Sequence, residues 1–232
     1  NNIDDFVQKL KDRNVKKVDH LMTHFSSSNL IIDEKSKCWK QYELFKEVKN
    51  AILESGINVE NSSVSNSGAI EQGFGFSESF IRPGILLYGA SVLDEAVRSK
   101  KSVETCLISS METTIIDFFD VESNTEVGYG DLKTDAPGKV VLIGVGYGDG
   151  LPTRFSGARI KTENGIGRVI GRINMDLTAI LFDRSVTFKR GDTITVWGDN
   201  GTNLTEISDD VGIIPYEILC NIGQRVKKEY YF

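Results

Sequence analysis

Cysteine is scarce in this 232-residue chain: Cys38, Cys106 and Cys220 are odd in number, far apart and never in CxxC spacing. That argues against a disulfide framework and a zinc site, and three free thiols fit a reducing cytoplasm. Histidine is scarcer still, with only His20 and His24, so a histidine-rich metal centre is excluded. No apolar run approaches the roughly 20 residues of a membrane span. No secretory signal pattern is visible, and the expected location is the cytoplasm. A basic excess is missing too: the net charge of −6 argues against nucleic acid as the main partner. What is present is ordinary for a soluble globular protein, with 40% hydrophobic and 26% charged residues in a chain long enough for one large domain or two small ones. The chain opens abruptly on "NNIDDFVQKLKDR", and further protein is expected upstream.

The first hundred residues alternate helix and strand. Ile3, Phe6, Val7 and Leu10 fall at helical spacing. "KKVDHLMTHF" alternates as a strand running to His24. "DEKSKCWKQYELFKEVKNAILESG" reads as a long amphipathic helix with Trp39, Tyr42, Phe45, Val48 and Ile52 on one face and Gly56 suited to its C-terminal end. "VENSSVSNS" reads as a short strand, "GAIEQGF" as a helical turn or two, and "FIRPGILLYGAS" as a final apolar strand. Such alternation implies parallel βαβ units. Beyond about Val97 the character changes to β-branched runs separated by "APG", "ENG" and "GDNG" turns, interrupted by one helical stretch, "LTEISDDVGIIPYEILCNI". "RVKKEYYF" is expected to return to a strand. The predicted organisation is a partial α/β domain over 1–96 and an all-β domain over 97–232. Three strands cannot close a sheet, so the first part reads as the back half of a (β/α) barrel, which needs eight. His24, Asn66, Ser67 and Arg82 to Ile85 lie at or near the C-terminal strand ends, where such barrels keep their catalytic groups.

"VGYGD" occurs twice, at 127–131 and 145–149. Neither copy opens a GxGxxG or a GxxxxGK[ST], and both lie in β-rich sequence rather than before a helix, so a nucleotide loop is rejected. The flanks differ, so an internal repeat is rejected as well. Two tyrosines on glycine-flanked backbone remain.

Seven segments stand in order along the chain: "MTHFSSS" (22–28), "NSGAI" (66–70), "RPGILLYG" (82–89), "VGYGD" (127–131), "GVGYGDGLP" (144–152), "GRINMD" (171–176) and "PYEILCNIGQRV" (215–226). Together they resemble the C-terminal two-thirds of a bacterial alanine racemase. The resemblance implies a barrel followed by a β-rich domain, pyridoxal 5′-phosphate (PLP) as cofactor, and interconversion of L- and D-alanine that supplies D-alanine for peptidoglycan. It also implies a homodimer with shared active sites, in which the β domain of one chain brings its tyrosine over the partner's barrel.

By that resemblance Arg82 matches the arginine that donates to the PLP pyridine nitrogen. A guanidinium keeps its proton, so that nitrogen stays unprotonated and the cofactor is a weaker electron sink. Asn66, Ser67, Gly84, Ile85 and Gln224 match cofactor contacts, with Ser67 and the backbone N–H groups of Gly84 and Ile85 cradling the phosphate. Ser67 equally suits a helix N-cap. Tyr129 matches the catalytic tyrosine that serves one face of the substrate carbanion. A phenol near pKa 10 needs help to act as a base at neutral pH, and His24 matches the histidine that hydrogen-bonds this tyrosine and is linked in turn to Arg82. Tyr147 and Arg172 match residues of the substrate entryway. Met175 and Asp176 match the pair that closes the site, with the Met175 backbone placed for the substrate carboxylate.

The chain also departs from the family. No "VKANAYGHG"-like segment with the PLP lysine is present, nor a "DTGMxRLG"-like segment with its carboxylate-binding arginine. Lys16 and Lys17 lie at the wrong end of a strand, so this chain alone is expected to be inactive. Gln224 stands where many relatives have a phosphate-contacting tyrosine. "LPTR" has an extra residue, which leaves Arg154 without an assigned role. Two alternatives stand beside the alanine racemase: a serine or broad-specificity racemase, and a non-catalytic fragment or assembly domain.

Overall fold

The computed structural model describes residues 2–99, 103–129, 132–199 and 201–231. It divides into two compact units, Asn1–Leu87 with Ser91–Thr105 and Tyr88–Ala90 with Cys106–Phe232. The sequence places the change in character near Val97.

In the first unit, helix α1 (Ile3–Asp12) starts where Asn2 accepts a hydrogen bond from Asp5 N–H. Acidic residues fill its first turn and lysines its last, which suits the helix dipole. Strand β1 (Lys17–Met22) pairs in parallel with β2 (Asn58–Ser63), His20 facing Asn61 and Met22 facing Ser63. The crossover is α2 (Lys37–Glu54), capped by Ser36, whose hydroxyl accepts from Trp39 N–H at 3.1 Å. Gly56 follows it at φ +82°, the left-handed conformation that ends a helix without a Cβ clash. The buried face of α2 sends Cys38 and Phe45 against Phe25, Val64 and Ala69, and Ile52 against Val7 and Ile57. Each large side chain buried there contributes about 1.5–3 kcal/mol. The short helix α3 (Ser67–Glu71) is capped by Asn66, whose Oδ1 accepts from Ala69 N–H. α4 (Glu95–Arg98) closes this part of the chain.

"FIRPGILLYGAS" is not a strand. It forms a single strand-type bridge to β2, between Ser63 and Phe80, and then a 3₁₀ turn over Ile85–Tyr88. The reason is local. Pro83 has no N–H to give a ladder. The amides of Gly84 and Leu86 point to the Ser67 hydroxyl. Gly89 turns at φ +79°, where a Cβ would sit 2.0 Å from the Cys106 carbonyl oxygen.

The second unit is a six-stranded antiparallel sheet of β3 (Met111–Val121), β4 (Gly138–Ile143), β5 (Arg159–Thr162), β6 (Gly165–Ile170), β7 (Thr178–Phe182) and β8 (Thr193–Trp197). Its order is β5-β6-β7-β4-β3-β8. A register shift between Ile115 and Asp117 lets the first half of β3 pair with β8 and the second half with β4. Beyond β8, Thr202 reaches back to β5: its hydroxyl accepts from Lys161 N–H at 2.8 Å and donates to the Arg159 carbonyl. The sheet therefore curls until its edge strands approach each other. The expected single late helix is two, α5 (Leu204–Val211) and α6 (Pro215–Asn221), broken by Gly212 at φ +65° and restarted by Pro215 at the first turn. "RVKKEYYF" forms no strand over its described residues 225–231; its first residues are tied instead to the turn at 147–149.

Candidate active site

In the first unit the two parallel strands end on the same side. Beyond β1 come Thr23 and His24, and beyond β2 come Ser65, Asn66 and Ser67. Arg82 bridges the two strand ends. Its Nη1 donates to Ser63 Oγ at 2.5 Å, its Nη2 to the Thr23 carbonyl at 2.6 Å, and its own amide to the Ser65 carbonyl. Ser63 is fully buried and also lies 2.7 Å from His20 Nε2. The guanidinium is thus fixed from two strands, and it faces the end where ligands of parallel sheets bind.

Asn66 sets the state of His24. Its Oδ1 accepts from Ala69 N–H, which orients the amide so that Nδ2 faces His24 Nε2 at 3.2 Å. Nε2 must then accept, so the neutral ring carries its proton on Nδ1. Gln41 of α2 holds the same loop through Thr23 Oγ1 and the His24 carbonyl. The structure therefore sets Asn66 against His24, while the two Arg82 Nη atoms are engaged by Ser63 and Thr23.

The cap of α3 is Asn66, which leaves the Ser67 hydroxyl free for another task. Ser67 is buried, and the amides of Gly84 (2.9 Å) and Leu86 (3.3 Å) converge on its Oγ. The sequence names Gly84 and Ile85 here; the geometry adds Leu86. A buried polar network holds the adjoining segment. Glu78 accepts from Lys49 (2.7 Å), Ser62 and Tyr42, and Ser79 and Phe80 bond to the backbone of Ser62. Burial pushes the Glu78 carboxyl up, but these three donors outweigh it and hold it below its ordinary value.

In the second unit Tyr129, Tyr147, Arg172, Met175 and Asp176 gather with Ile173, Asn174 and Leu177 around an open cavity of about 420 Å³. Tyr129 is 71% exposed and Tyr147 51%, and among the described residues neither phenol has a hydrogen-bond partner. Arg172 has no ion-pair partner among them either. The glycines of the two "VGYGD" copies work differently. Gly146 has extended backbone but presses on the 174–175 backbone: a Cβ there would lie 2.2 Å from the Asn174 carbonyl oxygen. That closeness lets Tyr147 N–H donate to the Asn174 carbonyl and Gly148 N–H to the Met175 carbonyl, each at 2.9 Å. Gly128 faces open space and is needed only for its φ of +73°. Gly130 and Asp131 of the first copy lie outside the described residues.

With its carbonyl so engaged, Met175 leaves its N–H without a partner among the described residues. Asp176 is not a free acid: its Oδ1 accepts from Arg225 Nη2 at 2.5 Å. Arg225 also reaches Asp149, Nε to Oδ1 at 3.4 Å. Asp176 first, then Asp149, hold its guanidinium more firmly charged than usual. Gln224 is exposed beside this pair, and Gly223 N–H ties its segment to the Asp149 carbonyl at 2.8 Å. Ser67 and Gly84 thus belong to the first unit and Gln224 to the second. Sequence reasoning assigned no role to Ser63, Gln41, Leu86, Asp149 or Arg225. Asp149 and Arg225 lie inside two of the quoted motifs, but nothing local shows that they pair.

Comparison with known proteins gives a consistent result. The family model "Alanine racemase, N-terminal domain" matches residues 1–92, and "Alanine racemase, C-terminal domain" matches residues 108–230. Similar curated proteins include alanine racemases of Aeromonas hydrophila, 29% identical over 97% of this chain and 61% of that protein, and of Halothermothrix orenii, 30% identical over 97% and 59%. A solved structure of the Clostridium difficile alanine racemase in complex with cycloserine is 25% identical, with a TM-score of 0.75 over 97% of this chain and 59% of that one. The chain spans about 60% of the length of the curated relatives it matches.

Proposed function

Because the chain belongs to the alanine racemase family, we propose that the complete protein interconverts L- and D-alanine with PLP as its cofactor, supplying D-alanine for peptidoglycan. In this reading the first unit is the back half of the cofactor-binding barrel and the second is the β-rich domain that covers a partner's site. The observation that carries it is the Arg82 cluster. A guanidinium pinned by Thr23 and Ser63 stands in the same unit as a buried hydroxyl on which two amides converge. That donor set fits PLP, with permanent donors for a ring nitrogen and, for a phosphate, a hydroxyl whose hydrogen is left to donate because its oxygen accepts from the amides.

Arg82 would face the ring nitrogen without ever giving it a proton, while Ser67, whose oxygen accepts from the Gly84 amide, would donate its hydroxyl hydrogen to the phosphate. When bound, PLP would supply the electron withdrawal that makes the substrate Cα–H acidic. Tyr129 would take or return that proton on one face. Its open phenol is free to meet a substrate in another chain's site, and His24, kept in a defined tautomer by Asn66, is the group that would meet the tyrosine. Met175 N–H binds the substrate carboxylate, and Tyr147 and Arg172 line the approach. The base for the opposite face has no counterpart among the motifs in these 232 residues. The shared sites require a head-to-tail homodimer.

The test is the complete protein assayed on alanine, serine, lysine and arginine. Racemisation of alanine at a kcat/KM at least about tenfold above the others supports this reading. Comparable rates on several substrates support a broad-specificity racemase, and no racemisation with cofactor bound supports an assembly role.

A further inference from the structure

We propose that Arg225 is a positioning residue: it clamps the loop that carries Met175 to the turn that carries Tyr147, and seats Gln224 on the same frame. The catalytic consequence rests on the racemase reading above; the clamp itself does not.

Three segments far apart in the chain meet at this guanidinium. The turn 146–150 gives Asp149, the loop 172–177 gives Asp176, and the C-terminal segment gives Arg225 itself. Asp149 commits its Oδ2 to Gly146 N–H at 2.9 Å, so its Oδ1 is left for Arg225 Nε. Asp176 Oδ1 takes Nη2. The third nitrogen lies against bare backbone: a Cβ on Gly148 would be 2.3 Å from Arg225 Nη1. One exposed ion pair contributes little. Here a single planar fork faces carboxylates from two loops at once, hydrogen-bonded to Asp176 and ion-paired with Asp149, a geometry that the point charge of lysine cannot reproduce. Three backbone hydrogen bonds run between the same segments, from Tyr147 to Asn174, Gly148 to Met175 and Gly223 to Asp149. The clamp adds to them in holding the Met175 loop and the Gln224 segment in register. Asp176 thereby acts through Arg225 on the placement of Met175.

The experiment compares Arg225→Met, Arg225→Lys and a control, Arg159→Met, in the complete PLP-bound protein. Arg159 pairs with Asp210 elsewhere in the same unit. Hydrogen exchange is followed by mass spectrometry in peptides covering 145–151 and 221–227, together with kcat and KM for alanine. Arg225→Met is expected to speed exchange in both peptides and to raise KM about tenfold with kcat changed less than about threefold. Arg225→Lys should fall between, and Arg159→Met should leave both peptides and KM unchanged. Exchange unaltered by Arg225→Met, or altered equally by the control, overturns the clamp. If exchange responds but KM does not, the clamp holds the loops without positioning substrate, and the proposal fails in that part. A wild-type protein that does not racemise alanine overturns the functional reading, while the exchange data still decide the clamp.

Discussion

Identical pentapeptides place their glycines under different constraints. At Gly146 a methyl group would drive into the Asn174 carbonyl, while at Gly128 it would meet nothing and only the left-handed backbone resists it. Gly128→Ala should therefore cost about 1–2 kcal/mol. Gly146→Ala should cost more than about 2 kcal/mol, because the two hydrogen bonds to 174–175 are lost with it. Urea unfolding of the two variants of the complete protein checks the order, and an equal or reversed cost contradicts it. At this scale the sequence was legible where neighbours in space are written in local motifs. "NSGAI" and "RPGIL" do hold Ser67 and Gly84 together, and "GRINMD" does line a cavity with Tyr129 and Tyr147. It was illegible where the role is a long-range pairing. Arg225 and Asp176 are 49 residues apart, and Arg82 and Ser63 are 19 apart. No propensity or period encodes such contacts, which exist only once the segments have packed.

Among the elements, those with a clear period formed as the sequence implied. α1 and α2 bury one face each, and the β-branched runs pair as β3 to β8. The exceptions have polar causes: the 82–89 segment gives its amides to Ser67, and the C-terminal segment gives its first contacts to Asp149. The 78–80 segment is instead held beside β2 by Glu78, buried among Lys49, Ser62 and Tyr42. Its folded-state pKa lies below the ordinary value near 4.5. A depressed carboxyl adds stability that is fully present above its unfolded pKa and is lost as pH falls through the folded one. Stability of the complete protein should therefore decline below about pH 4.5 partly through Glu78. Glu78→Gln should weaken the protein at neutral pH and shrink that acid loss, measured as urea midpoints between about pH 6 and pH 3.5. An unchanged slope would show that Glu78 is not the anchor.

For the molecule as a whole, each unit has its own core, and each holds residues that the proposal uses: a pinned guanidinium and a buried hydroxyl in the first, two tyrosines beside an open cavity in the second. A site shared between subunits follows from the reading, and complementation tests it. Complete chains bearing Tyr129→Phe and Arg82→Gln should each be inactive alone. Mixed as dimers they should regain about a quarter of wild-type activity, since half the dimers are mixed and one of their two sites is intact. No recovery would mean that both residues act within one chain. The central claim is the unequal role of the two tyrosines, and it meets its most direct test in the racemisation rate of the complete PLP-bound protein. Tyr129→Phe should lower kcat by about a hundredfold to ten-thousandfold with PLP still bound, and Tyr147→Phe by about tenfold or less. Proton transfer abolished by Tyr147→Phe and spared by Tyr129→Phe would contradict it.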